Sequence, residues 1–323
     1  MPAAFVTGGS GFIGGALIDR LRRERWDVRA LIRSDAAAGR VRERGAEPVR
    51  GDLDSAESIR AAAEGCEIAF HAAAAVRDWG DPAEFERVNV GGTERVIAAC
   101  RASGVRRLVH VGTEAALMAG QPLVHVDEDA PLRPDSPALY SATKAKAEQR
   151  VRAANGDGLE TVVIRPRFVW GPGDTTLLPA IVGVVRSGRF RWIGGGAHLT
   201  ATTHVDNTVE GLWLGATKGH AGGVWFVTDG GHVVFRDFVS RLLETQGVSA
   251  PDKSVPPAVA RVLAPASEGI WRLLRRSDPP PLTRFATWIA SHECTIDVSR
   301  AERDLEYRPV KTREEGLAEL AAG

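Results

Sequence analysis

The segment Thr7-Gly8-Gly9-Ser10-Gly11-Phe12-Ile13-Gly14 constrains this chain more than any other. It follows a short apolar run, Ala3 to Val6, which reads as a buried strand. It opens a helical pattern, Phe12 to Arg23, with Phe12, Ile13, Ala16, Leu17 and Leu21 on one face. Gly8, Gly11 and Gly14 are spaced G-x-x-G-x-x-G. The first permits a tight turn, the second lets backbone approach a pyrophosphate, and the third lets helix pack close to strand. Free amides and the helix dipole then favour negative phosphate. The glycine pattern gains its weight from the strand before it and the helix after it.

The same alternation continues. Val28 to Ile32, Glu47 to Val49, Ile68 to His71, Leu108 to Val111 and Thr161 to Ile164 read as further strands. Helical patterns run over Ala56 to Ala63, Phe85 to Ala102 (ended by Gly104) and Leu139 to Ala154. Repeated βα units predict an α/β fold, a doubly wound parallel sheet of Rossmann type. A length of 323 residues suits such a nucleotide-binding domain plus a smaller substrate region. The second half is less regular, with Gly171-Pro172-Gly173, Gly194-Gly195-Gly196 and Pro279-Pro280-Pro281 as turns.

Composition excludes some classes of function. Lys plus Arg and Asp plus Glu are balanced at 41 each, which gives no electrostatic case for nucleic acid. Cys66, Cys100 and Cys294 are far apart and match no zinc or redox spacing, so reduced thiols in a cytoplasmic protein and no metal are expected. The first strand begins almost at Met1, so no cleaved leader is expected. No stretch reaches the roughly 20 apolar residues of a membrane span. The nearest approach, Val255 to Leu274, is interrupted by Arg261, Glu268 and Arg272. Residues 255–276 suit a lid over substrate, a membrane-surface helix or a packed surface helix.

Several residues carry chemistry. Arg33 ends the second strand where an acidic residue would hold the ribose hydroxyl of NAD. A guanidinium there meets a 2′-phosphate, which favours NADP, unless it stacks on adenine or faces solvent. Asp52, after the third strand, suits either the adenine amino group or a turn. Tyr140 and Lys144 form Y-x-x-x-K within a helical pattern, on one face. A free phenol, with pKa near 10, is a poor acid at neutral pH, and an ammonium beside it lowers that value. Lys144 also suits the nicotinamide ribose hydroxyls. Thr113 lies just past the fifth strand, where its hydroxyl reaches a substrate carbonyl or caps a turn. Asn89 anchors backbone or a proton-relay water.

Taken together, these motifs resemble the extended short-chain dehydrogenase/reductase family over nearly the whole chain. The resemblance also rests on Gly51-Asp52-Leu53, His71-Ala72-Ala73, Asn89-Val90-Gly91-Gly92-Thr93, Arg165-Pro166-Arg167-Phe168-Val169-Trp170-Gly171-Pro172-Gly173-Asp174, His204-Val205-Asp206-Asn207 and Tyr307-Arg308-Pro309. It implies Tyr140 as acid/base, Lys144 as its partner and Thr113 as the catalytic hydroxyl. It places Gly8, Gly11, Phe12, Ile13 and Gly14 at the pyrophosphate. Asp52, Leu53, Ala72 and Ala73 fall on the adenosine side, with Asn89 among the cofactor residues and Pro166 at the nicotinamide. It implies interleaved regions: 1–170 and 201–228 for the dinucleotide, 171–200 and 229–323 for substrate. Gly112-Thr113 replaces the family's usual Ser-Ser. Glu114 after it resembles the acid of sugar dehydratases, without a visible partner.

The closest branch resembles the 3β-hydroxysteroid dehydrogenase-like and dihydroflavonol reductase-like reductases. That implies NADP or NAD and an apolar carbonyl or secondary alcohol, steroid-like or aryl/alkyl. Trp170, Phe190, Trp192, Phe285 and Trp288 are candidate pocket residues or simply core. A nucleotide-sugar epimerase or dehydratase with tightly held NAD, and a non-catalytic NAD(P)-sensing regulator, stay open as other readings. A homodimer stays open as the assembly.

Overall fold

The computed structural model describes residues 1–322, and seven parallel strands form its principal sheet. They are β1 (Ala3–Thr7), β2 (Asp27–Ile32), β3 (Glu47–Arg50), β4 (Ile68–His71), β5 (Arg107–Val111), β6 (Glu160–Pro166) and β7 (Val224–Val227). Their spatial order is β7-β6-β5-β4-β1-β2-β3. The chain winds outward one way from β1 and the other way from β4, so a crevice opens at the strand carboxyl ends between them.

Alternation along the strands feeds two helical layers. Ala4, Val6, Phe70 and Val109 join Leu17, Ile18 and Leu212 of helices Phe12–Arg23 and Val205–Thr217. Phe5, Ala69, Leu108 and Val163 join Ile59, Val96, Cys100 and Val151 on the other face. The helices are capped locally. Ser34 accepts from the Ala37 amide and Ser55 from the Ser58 amide, satisfying amino-end donors of helices Asp35–Glu43 and Ala56–Ala63.

Two differences from the expected elements stand out. The single helix expected over 85–102 is three pieces: Pro82–Phe85, a π-helical segment Glu86–Gly91 and Gly92–Ala102. Nothing in a 3.6-residue hydrophobic period marks an i→i+5 bulge. β7 was not among the expected strands and closes one edge of the sheet beside β6. Leu123–Val126 pairs with Cys294–Ile296 in a second, four-stranded sheet. That sheet also holds Leu199–Thr200 and Val233–Val234. Within Val255 to Leu274, where a helix was among the expectations, lies helix Pro257–Leu273, which packs beside helix Arg284–Ser291. No helix among the described residues is long and apolar enough to cross a membrane.

Candidate active site

The glycine turn leaves β1 at Thr7. Gly8 has φ +71°, and a Cβ there would lie 2.8 Å from the Ala73 amide nitrogen, so the turn rests directly on the backbone after β4. Gly14 is tighter still: its Cβ would lie 2.2 Å from the Gly8 carbonyl oxygen. Gly11 donates its amide to that carbonyl at 2.9 Å and stands at the helix amino end, where no side chain caps it. The first-turn amides at Phe12, Ile13 and Gly14 therefore have no side-chain acceptor, which leaves an anion-binding terminus with backbone access. A dinucleotide pyrophosphate fits these features. Phe12 and Ile13 are half-buried beside the turn.

Around the adenosine end, Arg33 is exposed just past β2. Arg40, which the sequence reading missed, donates Nε to the Ser10 carbonyl at 3.4 Å and so stands over the glycine turn. Neither guanidinium pairs with a carboxylate among the described residues. Asp52 is committed to its turn, with Oδ1 accepting from the Asp54 and Ser55 amides at 2.8 and 3.1 Å. Leu53 packs against Gly92, whose Cβ would lie 2.9 Å from it. Ala72 and Ala73 wall the turn, and the Ala73 amide donates to Thr7 Oγ1 at 3.2 Å. Pro166 is buried at the end of β6, in register with Val227.

Thr113, Tyr140 and Lys144 converge beyond β5. A Cβ at Gly112 would lie 2.8 Å from Val163 Cγ1 and 3.0 Å from Arg165 Cγ, so a serine at this position needs those side chains to shift. Thr113 is buried and caps the short turn Glu114–Leu117, accepting from the Ala115 amide at 3.2 Å. Its hydroxyl donates to Glu114 Oε2 at 2.8 Å. Tyr140 opens helix Leu139–Ala153, and its half-buried ring meets Phe285 edge-on at 5.5 Å. Lys144, one turn on, is buried and donates Nζ to the Val111 carbonyl at 2.7 Å.

The Lys144 ammonium is turned onto the Val111 carbonyl in this geometry. Burial and the Glu114 carboxylate push the Tyr140 phenol above its ordinary value, and Thr113 beside it only partly opposes them. Burial lowers Lys144 to about 8, with Glu148 opposing.

Asn89 sits in the π-helical segment and ties three elements together. Its Oδ1 accepts the Ala75 amide at 2.7 Å, and its Nδ2 donates to Thr143 Oγ1 at 3.0 Å, on the turn that carries Tyr140 and Lys144. Beneath the site lie two histidines to which the sequence reading gave no role, His71 of the His71-Ala72-Ala73 motif and His110. His71 Nδ1 meets Thr7 Oγ1 at 2.7 Å, and His110 Nε2 lies 3.4 Å from Lys144 Nζ. Burial, then Lys144, holds His71 at about 3, so it is neutral at ordinary pH.

The partner of Glu114 is Arg167. Both are buried; Arg167 donates Nη1 to Glu114 Oε1, and its Nη2 lies 3.3 Å from Thr200 Oγ1. Fifty-three positions separate them, so spacing gave no signal. The aromatic candidates divide. Trp170 and Trp192 are fully buried in a core with Phe235 and Phe238, and Phe190 packs on Trp192, so these are core. Phe285 and Trp288 join the cluster that holds Tyr140. Elsewhere, ligand atoms of His204, Asp206 and Glu319 lie within 4.8 Å of one another, and the Lys311 ammonium lies 3.1 Å from Glu319 and 3.8 Å from Asp206.

Comparison with known proteins bears on this arrangement. The chain is 45% identical over 316 residues to the 4-hydroxy-2-methyl-3-oxo-4-farnesyl-3,4-dihydroquinoline-1-oxide ketoreductase of Stigmatella aurantiaca, covering 98% of this chain and 95% of that one. It is 38% identical to a 2-alkyl-3-oxoalkanoate reductase of Stenotrophomonas maltophilia, covering 98% of each. In fold it is similar to the dTDP-glucose 4,6-dehydratase of Streptomyces venezuelae, solved with NAD bound: TM-score 0.76 at 23% identity, covering 99% of this chain and 95% of that one. The sequence model of the 3-beta hydroxysteroid dehydrogenase/isomerase family matches residues 5–257. The chain belongs to the 3-beta hydroxysteroid dehydrogenase/isomerase family and is an NAD(P)-dependent oxidoreductase of the extended short-chain dehydrogenase/reductase type.

Proposed function

We propose that this chain reduces a ketone on a largely apolar molecule with NADPH, with Tyr140 as the proton donor. The observation that carries this reading is the convergence at the end of β5. A phenol held protonated by burial, a hydroxyl at Thr113 and the ring of Phe285 meet beside a glycine turn fit for pyrophosphate. Reduction needs a proton donor at the carbonyl oxygen, and the Tyr140 phenol carries that proton at neutral pH; its upward shift makes it a weaker acid, so efficient transfer requires the Lys144 ammonium to turn toward it. The ketoreductase and oxoalkanoate reductase names of the relatives agree with that direction.

A reduced nicotinamide, when bound, supplies the hydride. The residues of the chain do the rest. Gly8, Gly11 and Gly14 let backbone amides approach the pyrophosphate, and Phe12 and Ile13 flank it. Arg33 and Arg40 meet the 2′-phosphate, which makes NADPH the preferred form. Lys144 holds the ribose hydroxyls, and Asn89 fixes the turn that carries it. Thr113 holds the substrate oxygen. Its single proton rests on Glu114 in this geometry, so donation to substrate requires that proton to turn. Residues 171–200 and 229–322 supply most of the substrate side, with Phe285 and Trp288 as its apolar wall.

The test is cofactor oxidation by the purified protein against steroid ketones, long-chain 3-oxo acids and aryl ketones. NADPH consumption with one class, and a fall in kcat of about 10²- to 10⁴-fold in Tyr140→Phe, is the expected result. Full turnover by Tyr140→Phe, or no consumption with any class, overturns the reading. Replacing Arg33 and Arg40 together by alanine raises KM for NADPH at least tenfold and leaves KM for NADH unchanged.

A further inference from the structure

Six of the twelve exposed large apolar side chains among the described residues fall on one short element: Val259, Val262, Leu263, Ile270, Leu273 and Leu274, on and just after helix Pro257–Leu273. Val262 is 69% and Leu273 82% exposed. The spacing, with steps of three, four and seven, puts them on a single face. The opposite face, Ala260, Ala264 and Glu268, is buried. Glu268, the helix's one acidic residue, is spent there: it accepts the Arg284 amide at 2.7 Å and lies 3.5 Å from Arg284 Nε. The exposed charges of this element are therefore cationic. Arg261 and Arg272 stand three turns apart on one flank, and Arg275 and Arg276 follow the carboxyl end. Asp278 neutralises only Arg276, at 2.8 Å.

We infer that helix Pro257–Leu273 lies in the surface of an anionic lipid bilayer. A face of Val, Leu and Ile flanked by arginines is the composition of an in-plane interfacial helix: apolar side chains enter the acyl boundary, and guanidinium groups rise to lipid phosphates. A protein groove supplies the apolar contact but gives no reason for a flank carrying arginine alone. The element also connects to the candidate site. Trp79 donates Nε1 to the Arg276 carbonyl at 3.4 Å, and Arg272 lies over the Trp79 ring. The helix packs on Arg284–Ser291, whose Phe285 touches Tyr140. Docking therefore sets the apolar wall of the site one helix away from the membrane, which gives an apolar substrate a short path from lipid; this last step rests on the reductase reading, and the docking does not.

The experiment is vesicle co-sedimentation of the full chain, with no substrate, using phosphatidylcholine alone and phosphatidylcholine with 30% phosphatidylglycerol. The wild type pellets with the anionic vesicles and at least tenfold less with the neutral ones. Val262→Glu/Leu273→Glu, which changes only exposed side chains, lowers anionic-vesicle binding at least tenfold with an unchanged circular dichroism melt. Arg261→Gln/Arg272→Gln removes most of the preference for anionic lipid. Light scattering on the same samples covers the rival occupant, a second copy of this chain. Wild type that stays in the supernatant, a double glutamate variant that binds like wild type, or a wild-type dimer that this variant makes monomeric, each overturns the inference. None of these measurements reads turnover, so they fail independently of the proposed reaction.

Discussion

Lys144 is a charge held where charge is expensive. Burial brings it to about 8, while the Val111 carbonyl accepts from its Nζ. Two pH effects follow, with opposite signs. Between about 8 and its ordinary 10.5 the unfolded chain binds this proton and the folded chain does not, so this group makes folding more favourable as pH rises through that window. The proposed role runs the other way, because the ammonium that holds the ribose is lost above about 8. Reduction in kcat/KM for NADPH should fall on an alkaline limb near 8, and Lys144→Arg, whose guanidinium does not titrate there, should lack that limb even if it is slower throughout. A limb unchanged in Lys144→Arg would assign the titration to another group. The residue scale also shows what sequence can reveal. The Tyr140–Lys144 spacing is local and legible, because helical geometry alone puts both on one face. The direction of the phenol's shift was not legible, because it depends on how the fold buries the hydroxyl and on the Glu114 carboxylate set beside it.

At the scale of elements, the glycine turn was readable because its tightest constraint comes from a neighbour in sequence, although Gly8 itself is held against Ala72 and Ala73. Gly14 sits in the first turn of α-helix Phe12–Arg23, yet its limiting contact is the carbonyl of Gly8 at 2.2 Å from a built Cβ. Backbone cannot yield as a flexible side chain can. Gly14→Ala should therefore destabilise the fold by about 1–3 kcal/mol and weaken cofactor binding at least tenfold, read by urea denaturation and by titration of NADPH fluorescence. Gly39 is the control. It lies inside helix Asp35–Glu43 with nothing within 4 Å of a built Cβ, so Gly39→Ala should stabilise by about 0.5–1 kcal/mol. The π-helical segment at Asn89 was not legible. Its reason is tertiary: the bulge aims one amide side chain at both Ala75 and Thr143. Apolar periodicity carries no record of such an aim, and the same is true of β7, whose place is set by pairing with β6.

At the scale of the molecule, two buried arginines two residues apart on one strand end hold the halves of the fold in register. Arg165 lies fully buried against Glu148 of the Tyr140 helix, with Nε to Oε2 at 3.0 Å, and its Nη1 lies 3.3 Å from the Glu128 carbonyl. Glu128 in turn accepts the Phe226 amide of β7 at 2.8 Å and lies 3.3 Å from Arg300. Arg167 repeats the device toward Glu114 and Thr200 of the second sheet. The Arg-Pro-Arg motif was visible in sequence, but its acidic partners lie 17 and 53 positions away and were not. Burying such pairs takes both ions out of water, so intact pairs add little net stability, whereas a lone survivor is costly. Arg165→Met should therefore destabilise by about 3–5 kcal/mol, because Glu148 is left buried with its charge unmatched. Arg165→Met/Glu148→Leu should recover most of that loss, since it removes both ions and fills the space with apolar atoms. Denaturation of the two single variants and the double gives the coupling directly. If the double is as unstable as the sum of the singles, the pair is not a closed unit, and the bond from Arg165 to the Glu128 carbonyl carries the registration instead.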